Sequence, residues 1–151
     1  IHGNEYSKIV EEIAAKEGEL AIALSVEIES ELSQLEPAEE AEFLKELDID
    51  EPGLDKLIHT AYKLLGLNTF FTAGEKEVHA WTITKGTKAP QAAGVIHSDF
   101  EHGFIRAEII GYDDLVKHGS EHAVKEKGLM RVEGKDYEIK DGDVVYFRFN
   151  V

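Results

Sequence analysis

Apolar side chains recur at helical spacing near the start of the chain. The stripe runs from Tyr6 to Ile13 and stops before Gly18, which predicts an amphipathic helix over roughly residues 5–17 with the glycine just past its end. The next segment, Leu20–Leu24, is apolar on both faces. A continuous apolar run of this length is typical of a strand covered by helices on both sides. We therefore predict a buried strand there.

Helical patterns continue up to residue 66. Ile28–Leu35 has the spacing of a short helix, and Pro37 suits the first turn of another, where its missing N–H costs little. The strongest stripe is Leu54–Leu65, which ends at Gly66. It predicts a helix that docks on a core through its apolar side.

From Leu67 onward the periodicity changes from helical to alternating. Strands are predicted at Thr69–Thr72, Glu77–Ile83, Gly103–Ile110, Met130–Glu133, Tyr137–Ile139 and Val144–Phe149. Helical patterns lie between them, at Ala89–His97 and Ser120–Lys127. This order is typical of an α+β fold, and we expect one domain over residues 1–66 and a second over residues 67–151.

Charge separates the two halves. The net charge is −15, with 17 acidic and 5 basic residues up to Leu67 against 14 acidic and 11 basic from Asn68 onward. Because affinity for nucleic acid comes largely from lysine and arginine, any contact with a polyanion is expected in the second half. Cysteine is absent, and no apolar window is long enough to span a bilayer. These features predict a cytoplasmic protein without a membrane partner.

One long segment follows no simple periodicity, and it is the part of the sequence that most clearly resembles a known family. It is WTITKGTKAPQAAGVIHSDFEHGFIRAE at residues 81–108, and it stands between FFTAG at 70–74 and YDD at 112–114, with GKDYEIKDGDVVYFRFNV at 134–151 closing the chain. These segments resemble, in order, the TGS region of the YchF/Obg-like ATPases. The preceding half resembles the last piece of that family's nucleotide-binding domain.

The resemblance implies a fold for each half. Residues 67–151 would form a ubiquitin-like β-grasp domain, the TGS domain. Residues 1–66 would be a remnant, built of helices and a strand, of an α/β P-loop nucleotide-binding domain.

The motif that would hold a nucleotide's phosphates does not occur in the sequence. No G-x-x-x-x-G-K-[ST] is found, so no Gly-rich loop and lysine are present to bind a triphosphate. We therefore expect a C-terminal fragment with no catalytic residues, no cofactor of its own and no ATPase activity. The resemblance implies that the intact protein is a Mg²⁺-dependent ATPase, so ATP and Mg²⁺ belong to the intact protein.

The turn Leu24-Ser25-Val26 is the candidate for nucleotide contact in the intact protein. Ligands of open α/β sheets lie outside the carboxyl ends of the strands, and this turn follows a predicted strand. The resemblance implies that it lies beside the nucleotide base, although the family usually has a small residue in place of Val26. A purely structural exit from the strand stays open as the alternative, and nucleotide binding by this chain alone is expected to be negligible.

Cations of the second half are the candidates for contact with RNA or the ribosome, because the resemblance implies such contacts for TGS domains. They are Lys85, Lys88, His97, Arg106, Arg131, Lys135 and Arg148. The first two flank a glycine in a predicted loop, where they could reach phosphate groups. Scattered cations are also typical of ordinary solvated surface, unless they converge on one face of the sheet.

A metal could in principle be bound by side chains that are close in sequence, those of His97, Asp99, Glu101 and His102. Their spacing matches no known set of ligands, and exposed or locally hydrogen-bonded histidines are the expected alternative. No metal site is predicted.

Two hypotheses of function follow. In the first, the chain is the C-terminal part of a YchF-like ATPase whose TGS domain contacts the ribosome or RNA. In the second, the β-grasp domain is a protein-interaction module that docks on a partner protein or on the nucleotide-binding domain of the same protein. Further expected partners are the missing part of that domain and a second copy, bound through the exposed edges of the Leu20–Leu24 strand.

Overall fold

The structure is a computed structural model that describes residues 3–74 and 77–150. The chain divides into two compact units, Ile1–Leu65 and Gly66–Val151, which are described separately below.

Four helices make up the described part of the first unit: α1 (Glu5–Glu17), α2 (Val26–Leu32), α3 (Pro37–Glu46) and α4 (Gly53–Leu65). Helix α1 has the predicted bounds. The side chain of Asn4 accepts hydrogen bonds from the backbone N–H groups of Tyr6 and Ser7, and Gly18 ends the helix in the left-handed conformation at φ 77°. The starting position of α3 at Pro37 is also confirmed.

The predicted buried strand at Leu20–Leu24 is wrong, because this segment is an irregular connection between α1 and α2. Leu20 is 47% exposed and Leu24 40% exposed. A strand depends on backbone hydrogen bonds to a neighbouring strand, and residues 3–65 of the first unit contain no strand that could provide them. The expected dimerisation through this strand therefore loses its structural basis.

The apolar stripe of α4 is largely exposed, which differs from the expected docking on a core. Leu54, Leu57 and Leu65 are all exposed, as is the stripe of α1 at Tyr6 and Val10. Within residues 3–65, only two residues are buried, Leu32 and Gly53. The described helices of this unit thus leave apolar faces without a core to cover them.

Helix α4 has a capping group from a distant part of the chain. One oxygen of the Glu29 carboxylate accepts a hydrogen bond from the N–H of Gly53 at 2.8 Å, and the other accepts from the N–H of Leu54 at 3.1 Å. A carboxylate at this end of a helix satisfies free N–H groups and interacts favourably with the helix dipole. Glu29 therefore fixes the start of α4.

We expect Glu29→Ala to weaken the first turn of α4. Loss of a capping group costs about 1–2 kcal/mol, so amide exchange at residues 53–56 should become roughly 5- to 30-fold faster. The measurement is hydrogen exchange followed by mass spectrometry or NMR. Glu31→Ala is the matched control, since it removes the same charge from an exposed position of α2. Equal exchange in the two variants would contradict this role of Glu29.

The second unit is a five-stranded sheet with the strand order β2-β1-β5-β3-β4. The strands are β1 (Leu67–Ala73), β2 (Val78–Thr84), β3 (Phe104–Gly111), β4 (Arg131–Glu133) and β5 (Asp143–Phe149). Strands β1 and β5 are parallel, and the other neighbours are antiparallel. The helices are α5 (Ala89–Ile96), α6 (Ser98–His102), α7 (Tyr112–His118) and α8 (Glu121–Glu126).

Side chains from both faces of this sheet are buried. On the main face, Phe70 and Ile109 pack with the fully buried Ala92 of α5, whose small side chain lets the helix lie close to the strands. On the opposite face, Ile110 and Val124 form a smaller core. Neighbouring residues along a strand thus contribute to opposite cores, as strand geometry requires.

Five of the six predicted strands are confirmed, with ends that differ by a few residues. The sixth prediction, a strand at Tyr137–Ile139, is wrong. This segment forms only an isolated bridge, between Glu138 and Lys88, and its backbone is hydrogen-bonded to the residues just before and at the start of α5. The N–H of Ala89 donates to the carbonyl oxygen of Tyr137 at 2.8 Å, and the N–H of Ile139 donates to that of Thr87 at 3.0 Å. Helices α6 and α7 were not predicted, because they are only 5 and 7 residues long and show no clear apolar period.

Candidate functional site

The turn Leu24-Ser25-Val26 leads into helix α2. The hydroxyl of Ser25 accepts a hydrogen bond from the N–H of Ile28 at 3.4 Å and so caps the helix. Val26, the first residue of the helix, has 81% of its surface exposed. The turn contains no cation and no Gly-rich loop with a lysine, so by itself it lacks the groups with which a P-loop holds a nucleotide's phosphates. It could supply a side contact to a nucleotide bound mainly by other residues.

The cations predicted in the second half do not form one patch. Lys85 directly follows β2, and its N–H donates to the carbonyl oxygen of Gly66, just before β1 begins. Arg148 lies near the end of β5, a strand that runs parallel to β1 with Phe71 opposite Val144. About nine residues of strand, or roughly 30 Å, therefore separate Lys85 from Arg148.

Three of the predicted lysines lie on two neighbouring turns. The turn that carries Lys85 and Lys88 is joined by backbone hydrogen bonds to the segment that follows Lys135. The ammonium group of Lys88 bonds to the Asp136 carboxylate at 2.8 Å. This hydrogen bond and the accompanying charge attraction raise the pKa of Lys88 and lower the pKa of Asp136. Lys88 is therefore paired within the unit, whereas Lys85 is exposed and forms no ion pair with a described residue.

Arg131 belongs to a structural network. Its guanidinium donates to the Tyr137 hydroxyl at 3.0 Å and to the buried Asp143 carboxylate at 3.1 Å. Burial lowers the pKa of Arg131, but the hydrogen bond to Tyr137 and the attraction of Asp143 and Glu133 outweigh it and raise this pKa overall. Burial also raises the pKa of Tyr137, whose hydroxyl donates to Asp143 at 2.8 Å. Two N–H donors of Arg131 are thus used within the unit, one of them by a buried carboxylate.

His97 connects α5 to α6. Its Nδ1 atom accepts a hydrogen bond from the N–H of Asp99 at 3.2 Å, which caps α6. Nearby, Nδ1 of His102 lies 2.8 Å from the carbonyl oxygen of Ser98. In residues 3–74 and 77–150, no three histidine, aspartate or glutamate side chains converge as metal ligands would. The two histidines therefore make local hydrogen bonds.

Arg106 and Arg148 are the predicted cations that the sheet brings together. They are direct partners across β3 and β5. Glu108 lies between them: its carboxylate accepts two hydrogen bonds from Arg148, at 3.1 and 2.8 Å, and one from Arg106 at 3.4 Å. The hydrogen bond from Arg148 is the main cause that lowers the pKa of Glu108, against the opposing effect of burial.

Sequence reasoning missed Glu108 and the pairing of the two arginines. The spacing of Arg106 and Glu108 in a predicted strand does place both side chains on one face, and this signal was available. Arg148 is brought beside them by the register of β3 with β5, and Arg148 lies 40 residues after Glu108 in the sequence. No local pattern encodes that register.

Comparison with known proteins identifies the family. The family model YchF-GTPase_C, described as "Protein of unknown function (DUF933)", matches residues 67–150. The chain is 54% identical over 148 residues to the ribosome-binding ATPase YchF of Haemophilus influenzae and 55% identical over 149 residues to that of Bacillus subtilis. It covers 41% of each relative, and these alignments include 98% and 99% of the chain.

A solved structure agrees with the sequence comparisons. The structure of the Schizosaccharomyces pombe YchF GTPase superposes with a TM-score of 0.80 at 39% identity, over 96% of this chain and 39% of that one. The chain belongs to the YchF family. It spans about two fifths of the length of the curated relatives it matches. None of the helices in residues 3–74 and 77–150 is long and apolar enough to span a membrane.

Proposed function

We propose that this chain is the ribosome-contacting part of a longer P-loop ATPase. The observation that carries the proposal is the identity of 54–55%, over nearly the whole chain, to relatives named ribosome-binding ATPases. The second unit would make the contact, since its net charge is close to balance whereas the first half is strongly acidic. A ribosome partner would place the protein in the cytoplasm.

The second unit would be a TGS domain with the β-grasp fold. Its sheet order, with β5 in the centre and parallel to β1, supports this assignment together with α5 packed on one face. The first unit would be the end of a nucleotide-binding domain. Its exposed apolar stripes on α1 and α4 support docking on the remainder of that domain.

ATP hydrolysis would require the longer protein. The 151 residues contain no P-loop motif, so ATP and Mg²⁺ would be held by residues outside this chain. Leu24, Ser25 and Val26 would then lie beside the base, with Ser25 positioning the turn through its cap on α2. The chain alone is expected neither to bind ATP tightly nor to hydrolyse it.

We expect Lys85→Glu to weaken ribosome binding about three- to tenfold, because it reverses an exposed, unpaired charge on a turn that can approach phosphates. The measurement is co-sedimentation of the chain with ribosomes across a salt series. Lys127→Glu is the matched control, with the same charge change on another exposed turn. Charge reversal at Lys88 is avoided because it would set like charges beside Asp136.

The outcome of this salt series separates the two hypotheses. If wild-type chain shows no binding at any salt concentration, the ribosome contact is wrong for this part of the protein. Binding that persists at high salt and is insensitive to Lys85→Glu would instead favour docking through apolar area on a protein.

A further inference from the structure

The placement of Arg106 opposite Arg148 is unfavourable for the sheet itself. Like charges directly opposite each other in an antiparallel pair are destabilising. Glu108 compensates one of the two charges. Glu121 of α8 is paired with Lys125, and its charge also adds to the effect of Glu108 in raising the pKa of Arg148. Three cations (Arg106, Arg148 and Lys125) and two carboxylates (Glu108 and Glu121) leave this group with a net charge of +1.

Both guanidinium groups have donors to spare. Each has five N–H donors, and hydrogen bonds to Glu108 use only Nε and Nη2 of Arg148 and Nη2 of Arg106. The two side chains are 51% and 52% exposed, so the remaining donors are accessible to a ligand. Two adjacent planar guanidiniums suit a phosphate group, which can accept two parallel hydrogen bonds from each.

The two arginines lie on an exposed part of the sheet face. Helix α8 packs against the other half of this sheet face, where Val124 covers Ile110. Beside Glu108, across the strand pair, lies Val132 of β4, which is exposed. In the described part of the second unit, no helix covers Arg106 or Arg148. An extended polymer could therefore lie along this half of the face.

We propose that Arg106 and Arg148 bind a phosphate group of the RNA backbone, next to Glu108, which accepts hydrogen bonds from both guanidiniums. This inference rests on the proposed ribosome contact and specifies RNA as the component that is contacted. The net charge of +1 on this group matches one phosphodiester. Glu108 also limits the affinity, since its carboxylate competes with the phosphate for the same donors.

The test measures binding of the full chain to a fluorescein-labelled 12-nucleotide oligouridylate by fluorescence anisotropy at several salt concentrations. Arg106→Gln leaves the two-bond pair of Arg148 with Glu108 intact. We expect it to weaken binding three- to tenfold and to reduce the slope of log K against log salt by about 0.7. Glu108→Gln should have the opposite effect and tighten binding two- to fivefold. Lys127→Gln, which removes one charge from an exposed turn, is the control and should change affinity less than twofold.

The opposite signs expected for Arg106→Gln and Glu108→Gln exclude a merely structural explanation, which predicts weaker binding in both. The proposal is wrong if Arg106→Gln behaves like Lys127→Gln, or if Glu108→Gln weakens binding while the thermal midpoint stays at its wild-type value. It is also wrong if ribosomes bind the chain and the oligouridylate does not, a result that leaves the ribosome contact standing. Tighter binding of poly-glutamate than of RNA would assign the arginines to an acidic protein segment.

Discussion

Replacement of Asp143 by alanine is expected to destabilise the second unit by about 3 kcal/mol, on the order of a hundredfold in its folding equilibrium. The buried carboxylate accepts hydrogen bonds from Arg131, the Tyr137 hydroxyl and the N–H of Lys140, the last at 2.9 Å. Alanine would leave all three donors without their acceptor in a partly buried setting. Loss of a buried acceptor is more damaging than loss of an exposed one, because its partners cannot turn to water.

Fluorescence of Trp81 measures this effect in the second unit alone. It is the single tryptophan of the sequence, it packs against the main core, and its indole N–H donates to the Thr72 hydroxyl at 2.9 Å. Urea unfolding followed at Trp81 should show a clearly lower midpoint for Asp143→Ala. Asp136→Ala, which removes an exposed carboxylate paired only with Lys88, should leave the midpoint nearly unchanged. Equal midpoints for the two variants would show that the network contributes little.

Replacement of Gly103 by alanine is expected to destabilise the same unit by about 2–3 kcal/mol. Its backbone has φ −86°, which any residue can adopt, so the effect comes from close approach rather than conformational strain. An added Cβ would overlap the carbonyl oxygen of Asn150 and lie 2.9 Å from its carbonyl carbon. The N–H of Asn150 also donates to the carbonyl oxygen of Gly103 at 2.9 Å. Separation of these two backbones would disturb the pairing of β3 with β5.

Gly134→Ala provides the comparison for this prediction. An added Cβ at Gly134 meets no atom within 4 Å, and its φ is not positive. This control should be neutral, or stabilising by up to about 1 kcal/mol through lower entropy of the unfolded chain. Both variants can be followed by urea unfolding at Trp81. If Gly103→Ala were as stable as Gly134→Ala, the close approach of Asn150 would not constrain the fold.

Local rules explain which elements could be predicted from the sequence. The ends of α1 at Gly18 and of α4 at Gly66 follow from helix periodicity and from glycine beyond the last turn. Strands β3 and β5 were predicted correctly from the alternation of residues along them, because each strand contributes side chains to the cores on both faces of the sheet. Such signals need only a few neighbouring residues.

Predictions that depended on distant partners were less successful. The Leu20–Leu24 segment is apolar enough for a strand but has no neighbouring strand within the described residues. The Tyr137–Ile139 segment is hydrogen-bonded to Thr87 and Ala89, at the start of α5, and not to a strand of the sheet. Among the candidate cations, the register of β3 with β5 places Arg148 opposite Arg106, whereas Arg131 of β4 bonds to the buried Asp143. Strand register and long-range pairing are set by the whole sheet, so a local pattern cannot supply them.

The position of β5 has a consequence for the order of folding. This strand comes last among the five along the chain, yet it lies in the centre of the sheet, between β1 and β3. A nascent chain that has not yet reached Asp143 can form the β1–β2 hairpin and the β3–β4 pair, but no strand joins the two pairs into one sheet. Closure of the sheet must bring Phe71 to Val144, a contact between residues far apart in sequence, and such contacts form slowly. The second unit should therefore acquire its cooperative core only after β5 has been synthesised.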